Sequence, residues 1–71
     1  RKYLIVIEKT STGYSAFCPD LPGCVSTAKT KPGVVRSMAK AIQFHLEGMQ
    51  KEGLKIPQPR SYSTYLEVKA A

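Results

Sequence analysis

Hydrophobic and polar positions follow a strand-like pattern in the first part of the chain. Three stretches are rich in β-branched and aromatic residues and predict strands over Lys2 to Lys9, Tyr14 to Cys18 and Cys24 to Lys29. Thr10 to Gly13 predicts a hairpin loop in which Gly13 adopts a positive φ. Pro19 to Gly23 holds two prolines and a glycine and predicts a rigid turn. We therefore predict a meander of three antiparallel strands.

The hydrophobic period then changes to that of a helix. Thr30 is the best cap, and Pro32 suits the first helical position, where its missing N–H costs nothing. Gly53 followed by Pro57 predicts the end, so the helix covers roughly residues 32–52. Spacings of three and four predict one apolar stripe formed by Val35, Met38, Ala39, Ile42, Leu46 and Met49.

The C-terminal part predicts one more strand. Ile56 to Pro59 forms a stiff connector, and Ser63 to Lys69 alternates between apolar and polar positions. A right-handed crossover after the helix would place this fourth strand parallel to the first, at its free edge. The predicted fold is α+β with the order βββαβ, in a single domain over residues 1–71.

The first strand is apolar on both sides, which one helix cannot cover. Leu4 and Val6 lie on one side, and Tyr3, Ile5 and Ile7 lie on the other. An apolar strand with two apolar sides needs a second cover, and another copy of the chain is the simplest one. Phe44 lies away from the helical stripe. We predict a homo-oligomer or an obligate partner, with an interface that includes Leu4, Val6 and Phe44.

The charge of the chain first directs attention to nucleic acids. Eleven Lys and Arg against five Asp and Glu give a net charge of +6 in 71 residues. The cations are dispersed over strand ends and the helix, whereas specific nucleic-acid-binding proteins cluster them. Weak, salt-sensitive binding to RNA or DNA stays an alternative. The five-residue apolar run Tyr3 to Ile7 is too short for a membrane span.

The inventory of reactive residues argues against an enzyme. His45 is the only histidine, and no acid or nucleophile is placed beside it. Cys18 and Cys24 have no accompanying ligand pair for a metal, and buried thiols are favoured over a disulfide. Glu8 and Glu67 are too few for a two-metal nuclease site. We predict no cofactor and no catalysis, and a vestigial nuclease is the least favoured class.

The segment Tyr14 to Cys24 (YSAFCPDLPGC) resembles the signature of the HicB-like antitoxin family. The opening YLIVIEK, the helix sequence AIQFHLEGM and the strand after PQP resemble the same family in the same order. The resemblance implies a partial ribonuclease H-like domain that lacks the ribonuclease H carboxylate cluster.

The resemblance also implies a function. HicB-like proteins are antitoxins that bind and block a small HicA-type toxin, an mRNA interferase, and they form dimers or tetramers. A cytoplasmic bacterial protein is implied, and we expect no C-terminal DNA-binding domain in a chain of this length. The candidate partner-binding residues are those of the turn, although a purely architectural role is the favoured interpretation of them: Pro19, Asp20, Leu21, Pro22 and Gly23.

Two features depart from the family pattern. Ala28 stands where the family usually has Gly, and Pro32 to Val35 replaces an acidic helix start. In addition, HicA-type toxins bind RNA and tend to be basic, so a charge of +6 opposes long-range attraction to such a partner. Three interpretations follow: the partner is unusually acidic, the contact is local and apolar, or this member has lost the toxin role.

Overall fold

The computed structural model describes residues 1–70 and contains three strands and one helix. The strands pair in the order β1-β2-β3, and both pairings are antiparallel, as predicted. The helix α1 follows the meander and packs mainly against β3 and β2. The bounds are β1 (Val6–Lys9), β2 (Tyr14–Phe17), β3 (Val25–Ala28) and α1 (Lys31–Lys51).

The strands are shorter than their hydrophobic stretches. Val6 pairs with Phe17, and Phe17 also pairs with Val25. Beyond Phe17 the chain leaves the β1 ladder for the turn, and Pro19 has no N–H to offer it. The residues before Val6 therefore have strand-like composition without a ladder partner among the described residues.

The hairpin between β1 and β2 forms as predicted, but the reason for a glycine at position 13 differs from the predicted one. The Thr10 N–H donates to the Gly13 carbonyl at 2.8 Å, and the Gly13 N–H donates to Thr10 Oγ1 at 3.0 Å. The expectation of a positive φ at Gly13 is wrong, since among the described glycines only Gly23 and Gly53 have one. A Cβ at Gly13 would overlap the carbonyl oxygen of Ala28, so close approach to the chain end of β3 explains this glycine.

Both ends of the helix are set by local chemistry. Thr30 Oγ1 accepts a hydrogen bond from the Gly33 N–H at 3.0 Å, which confirms the predicted cap. At the other end Gly53 has a φ of 71°, and the Leu54 N–H donates to the Met49 carbonyl at 2.9 Å. This left-handed glycine closes the helix near the predicted residue.

The predicted apolar stripe is wrong by one position at its start. Val34, not Val35, is fully buried, and Val35 and Ala39 are exposed. Met38, Ile42 and Leu46 do pack on the core. The shift arises because a buried face is wider than one row of residues, so the row that points at the sheet is set by the docking of the helix.

The core lies between α1 and one face of the sheet. Its buried members come from β2, the turn and the helix: Ala16, Cys18, Leu21, Cys24, Val34 and Met38. Both cysteines are free and buried, as predicted.

The predicted fourth strand is wrong for this chain taken alone. Ser63 to Lys69 carries no strand pairing, and every residue from Tyr62 to Ala70 is exposed. The two prolines of the connector stiffen it, because each restricts the residue before it to extended conformations. Two hydrogen-bonded residues, Arg60 and Ser61, then hold its end on the turn, and the segment beyond makes no ladder with β1.

Candidate protein-interaction surfaces

The turn between β2 and β3 is a folded unit rather than an open loop. The Leu21 N–H donates to the Cys18 carbonyl and the Cys24 N–H donates to the Leu21 carbonyl, both at 3.1 Å. Gly23 has a φ of 82°, which only glycine adopts readily. The Leu21 side chain is fully buried, so it belongs to the core and cannot touch a partner directly. Pro19, Pro22 and Gly23 are exposed.

Asp20 ties this turn to the C-terminal part of the chain. Its Oδ2 accepts hydrogen bonds from the backbone N–H groups of Arg60 and Ser61, each at 3.0 Å. Its Oδ1 accepts a third from the Ser61 hydroxyl at 2.9 Å. Because these donors favour the charged carboxylate, led by the Arg60 N–H, the pKa of Asp20 lies below its ordinary value. We call this arrangement the Asp20 anchor.

The sequence gives only one local hint of the Asp20 anchor. Asp20 and Ser61 lie 41 positions apart, and neither belongs to a periodic pattern. An Asp after a proline in a turn indicates a side chain that accepts backbone hydrogen bonds, and this is the one local hint. Which backbone N–H groups the Asp20 carboxylate binds depends on where the connector passes the turn.

A groove runs along the C-terminal half of α1 and reaches the turn at Pro22. Its volume is about 480 Å³. Phe44 is 79% exposed in it, which agrees with the expectation that the chain alone does not bury this ring. Leu54, brought back by Gly53, is 53% exposed on the groove. We define the helix groove by its lining residues: Pro22, Phe44, His45, Gly48, Met49, Glu52 and Leu54.

Sequence reasoning found Phe44 and Pro22 but missed the rest of the helix groove. The hydrophobic spacing predicts Met49 in the core stripe, whereas in the structure Met49 is half-buried on the groove. Gly48 has open space above its Cα, so it deepens the groove, whereas the sequence marks it only as a weak helix former. The sequence feature that could have indicated the groove is the spacing of Phe44 and Gly48, four positions apart on the helix, with Leu54 just after its end.

The second surface is the face of the sheet that α1 does not cover. Val6, Phe17 and Val25 are direct cross-strand neighbours. Since side chains alternate along a strand and Ala16 is buried under the helix, these three point to the other face. Phe17 is 40% and Val25 65% exposed. We call this row, with the preceding Leu4, the open face.

The predicted interface residues therefore do not form one patch. Leu4 and Val6 are half-buried on the open face, whereas Phe44 stands on the helix that covers the opposite face. The chain has two separate apolar surfaces, and one partner copy does not cover both by a simple flat contact.

Cys18 and Cys24 are reactive side chains that the structure buries in the core. Burial raises the pKa of the Cys24 thiol, and neighbouring Cys18 raises it further, so this sulfur stays protonated and weakly nucleophilic. Within residues 1–70, no group of three or more His, Cys, Asp and Glu side chains could hold a metal ion. No helix in that part of the chain is long and apolar enough to cross a membrane.

Comparison with known proteins identifies the family. A model described as "HicB_like antitoxin of bacterial toxin-antitoxin system" matches residues 3–70. The chain belongs to this HicB-like antitoxin family. A solved structure of the HicA3 and HicB3 toxin-antitoxin complex contains a similar chain, with a TM-score of 0.72 and 30% identity. That match covers 83% of this chain and 70% of the other.

Curated relatives agree in sequence and add a point about length. An uncharacterized 14.9 kDa protein from the rep-hol intergenic region of Haemophilus phage HP1 is 36% identical over 64 residues. These residues are 90% of this chain and 48% of the phage protein, so the chain spans about half of that relative. A UPF0150 protein of Thermoplasma acidophilum is 36% identical over 58 residues, which are 80% of this chain and 84% of that protein.

Proposed function

We propose that this HicB-like domain binds a HicA-type toxin through protein–protein contact and neutralises it without catalysis. Family membership over residues 3–70 and similarity to a chain in the HicA3 and HicB3 complex support this function. The observation that carries the contact site is the helix groove, where Phe44 stands 79% exposed beside Pro22 and Leu54. Exposed aromatic anchors over apolar pockets are typical centres of protein interfaces.

The charge of the chain is compatible with this contact. The net charge is +6, but the described side chains that line the helix groove include no Lys or Arg, and Glu52 and His45 are its two ionisable groups. A basic toxin would therefore meet an apolar surface with one carboxylate beside it. We expect slow association, because the overall charges repel at long range, and an affinity that depends mainly on the rate of dissociation.

The turn contributes to the proposed contact in two ways. Pro22 lines the helix groove directly, and the exposed Pro19 and Gly23 lie beside it in the chain. Leu21 and Asp20 act behind this surface, Leu21 by packing in the core and Asp20 by holding the connector. In this proposal the five turn residues are partly contact and partly scaffold.

Nucleic-acid binding is not favoured as an alternative. The basic residues are dispersed along the chain, and the aromatic ring of Tyr14 is occupied by a cation of its own chain. Lys9 Nζ lies 5.3 Å from the centre of that ring. No feature of the described residues adds a base-stacking platform to the basic balance.

The chain offers a matched pair of variants for testing the contact site, because its two phenylalanines lie on different surfaces. We predict that Phe44→Ala weakens binding to the toxin encoded beside its gene by about 1.4 kcal/mol or more, which is about tenfold in Kd. Phe17→Ala on the open face serves as the control and leaves Kd within about twofold. Isothermal titration gives both numbers, and rescue of growth on co-expression gives the functional readout.

The results separate the function from the site. If the neighbouring gene product is not toxic alone, or the wild-type domain does not rescue growth, the antitoxin function fails for this chain. If rescue occurs but Phe17→Ala abolishes it while Phe44→Ala does not, the function holds and the helix groove is the wrong surface.

A further inference from the structure

The two cysteines of the chain take no part in the proposed toxin contact, and they lie opposite each other at the base of the turn. The pairing of β2 with β3 places Phe17 opposite Val25. One further step of the same register places Cys18 opposite Cys24. The Cys18 N–H donates to the Cys24 carbonyl at 3.1 Å, so the backbones of the two cysteines are paired as well.

Both cysteine side chains point into the core from the same face of the sheet. Side chains alternate along a strand, and directly opposite residues of two strands share a face. Cys18 is 2% and Cys24 4% exposed, whereas Phe17 and Val25, the pair before them, are much more exposed on the other face. Burial raises the pKa of the Cys24 thiol and the nearby Cys18 raises it further, so the two sulfurs also act on each other electrostatically. Both thiols are free.

The backbone spacing of such a pair suits a disulfide. Directly opposite residues that are hydrogen-bonded in an antiparallel pair have Cα atoms about 5.5 Å apart. Disulfides are commonest at Cα separations of about 5.5–6 Å, and their Cβ atoms must not point apart. A bond between the sulfurs of Cys18 and Cys24 therefore needs rotation of the two side chains but little movement of the backbone.

We propose that Cys18 and Cys24 form a thiol–disulfide exchange site whose substrate is a low-molecular-weight disulfide, and that their oxidation locks the turn between β2 and β3. One protein thiolate attacks a sulfur of the small disulfide, which forms a mixed disulfide and releases the first small thiol. The second protein thiolate attacks the protein sulfur of the mixed disulfide, which forms the Cys18–Cys24 bond and releases the second small thiol. The protein pair gives two electrons to the small disulfide, and its two protons end on the two released thiols.

The burial of the site predicts a slow reaction, and its position predicts what the bond does. Both sulfurs are buried, so the turn must open before a small disulfide reaches them, and the raised pKa of Cys24 keeps its thiolate scarce. The bond closes a short loop that carries Pro22 of the helix groove and Asp20 of the Asp20 anchor. It restricts the unfolded chain and opposes opening of the turn, so the oxidised form is the more stable one.

The experiment incubates the reduced 71-residue chain with oxidised glutathione in mildly alkaline buffer and follows the product by mass spectrometry. We expect a single-chain product that is two hydrogens lighter than the reduced chain and carries no glutathione. The Tm of this product should be higher by roughly 10 °C, and a reductant should restore the starting value. The amides of Leu21 and Cys24, which donate to carbonyls within the turn, should exchange more slowly in the oxidised form.

The matched controls are Cys18→Ala and Cys24→Ala, because each keeps one thiol and replaces the other by a small apolar side chain. Each variant should stop at the mixed disulfide and retain one glutathione. The wild-type chain alone decides the outcomes below, so the test does not depend on the folding of either variant.

Three results would overturn the proposal. A wild-type chain that retains glutathione, or that joins a second copy through a disulfide, would mean that the two sulfurs do not meet. Thiols that react only when the whole chain unfolds would mean that the turn does not open to the oxidant. An oxidised form with an unchanged or lower Tm would mean that the bond does not lock the turn. None of these results bears on toxin binding, which the Phe44→Ala titration tests separately.

Discussion

Both faces of the three-stranded sheet carry apolar residues, but those on one face are buried and those on the other are partly exposed. On the face under α1, Ala16 is almost completely buried and packs with Val34 and Met38. On the open face, Phe17 directly follows Ala16 in the chain and is 40% exposed, while its neighbour Val25 is 65% exposed. A short chain with one helix can build only one such core.

The difference shows how the hydrophobic residues are divided between folding and binding. Those under the helix hold the fold together, and those on the open face and in the helix groove stay available for other chains. The hydrophobic fraction of 42% overstates the core, because several of the largest apolar side chains are exposed. In the proposed function, some of these exposed residues form the contact with the toxin.

The largest expected effect sharpens this comparison with the same substitution on each face. Val34→Ala removes two buried methyl groups and should lower the free energy of unfolding by about 2 kcal/mol. Val25→Ala should lower it by less than about 0.5 kcal/mol, because its side chain is mostly in water. Thermal unfolding followed by circular dichroism measures both, and for Val34→Ala a fall of roughly 8–16 °C in Tm is expected.

An equal loss in the free energy of unfolding for Val34→Ala and Val25→Ala would contradict this difference between the two faces of the sheet. Such a result would mean that the open face is covered in solution and contributes to folding as much as the helix-covered face does. A dilution series shows whether the measured stability depends on contact between copies of the chain.

A smaller effect is expected at the Asp20 anchor, which joins the turn between β2 and β3 to the end of the connector. The pKa of Asp20 is lowered in the folded chain, so the anchor stabilises the fold fully above the unfolded value near 3.8. The contribution is lost as pH falls through the lower folded pKa. Stability should therefore fall with acid below pH 3.8, and Asp20→Asn should reduce the steepness of that fall.

Hydrogen exchange provides a local readout for the same variant. The amides of Arg60 and Ser61, which donate to the Asp20 carboxylate, should exchange faster in Asp20→Asn at neutral pH. Amides of α1 far from the anchor, such as that of Met38, serve as the internal reference. Unchanged exchange at both anchor positions would show that the carboxylate does not hold the connector.

Features set by neighbouring residues could be predicted from the sequence. The hairpin at Thr10 to Gly13, the Thr30 cap and the stop at Gly53 all depend on contacts within a few positions. The family resemblance depends on motifs that can be compared directly in the sequence, above all Tyr14 to Cys24, and the family match over residues 3–70 confirms it. These features need no knowledge of how the elements dock.

Features set by docking could not be predicted in the same way. The choice of Val34 over Val35 as the buried residue depends on how the helix lies on the sheet. The close approach of Gly13 to Ala28 depends on the neighbouring strand, so the hairpin loop alone does not show why a glycine stands there. The fourth strand follows a correct local pattern, but a strand needs an edge, and its own chain provides no pairing in this structure.

The central claim is that the helix groove, and not the open face, receives the toxin. Nuclear magnetic resonance of the isotope-labelled domain, titrated with the toxin encoded beside its gene, tests this claim directly. We predict large chemical-shift changes at groove residues Phe44, Gly48 and Leu54, with Val6, Phe17 and Val25 unmoved. Changes confined to the open face, with the groove signals unmoved, would contradict the account.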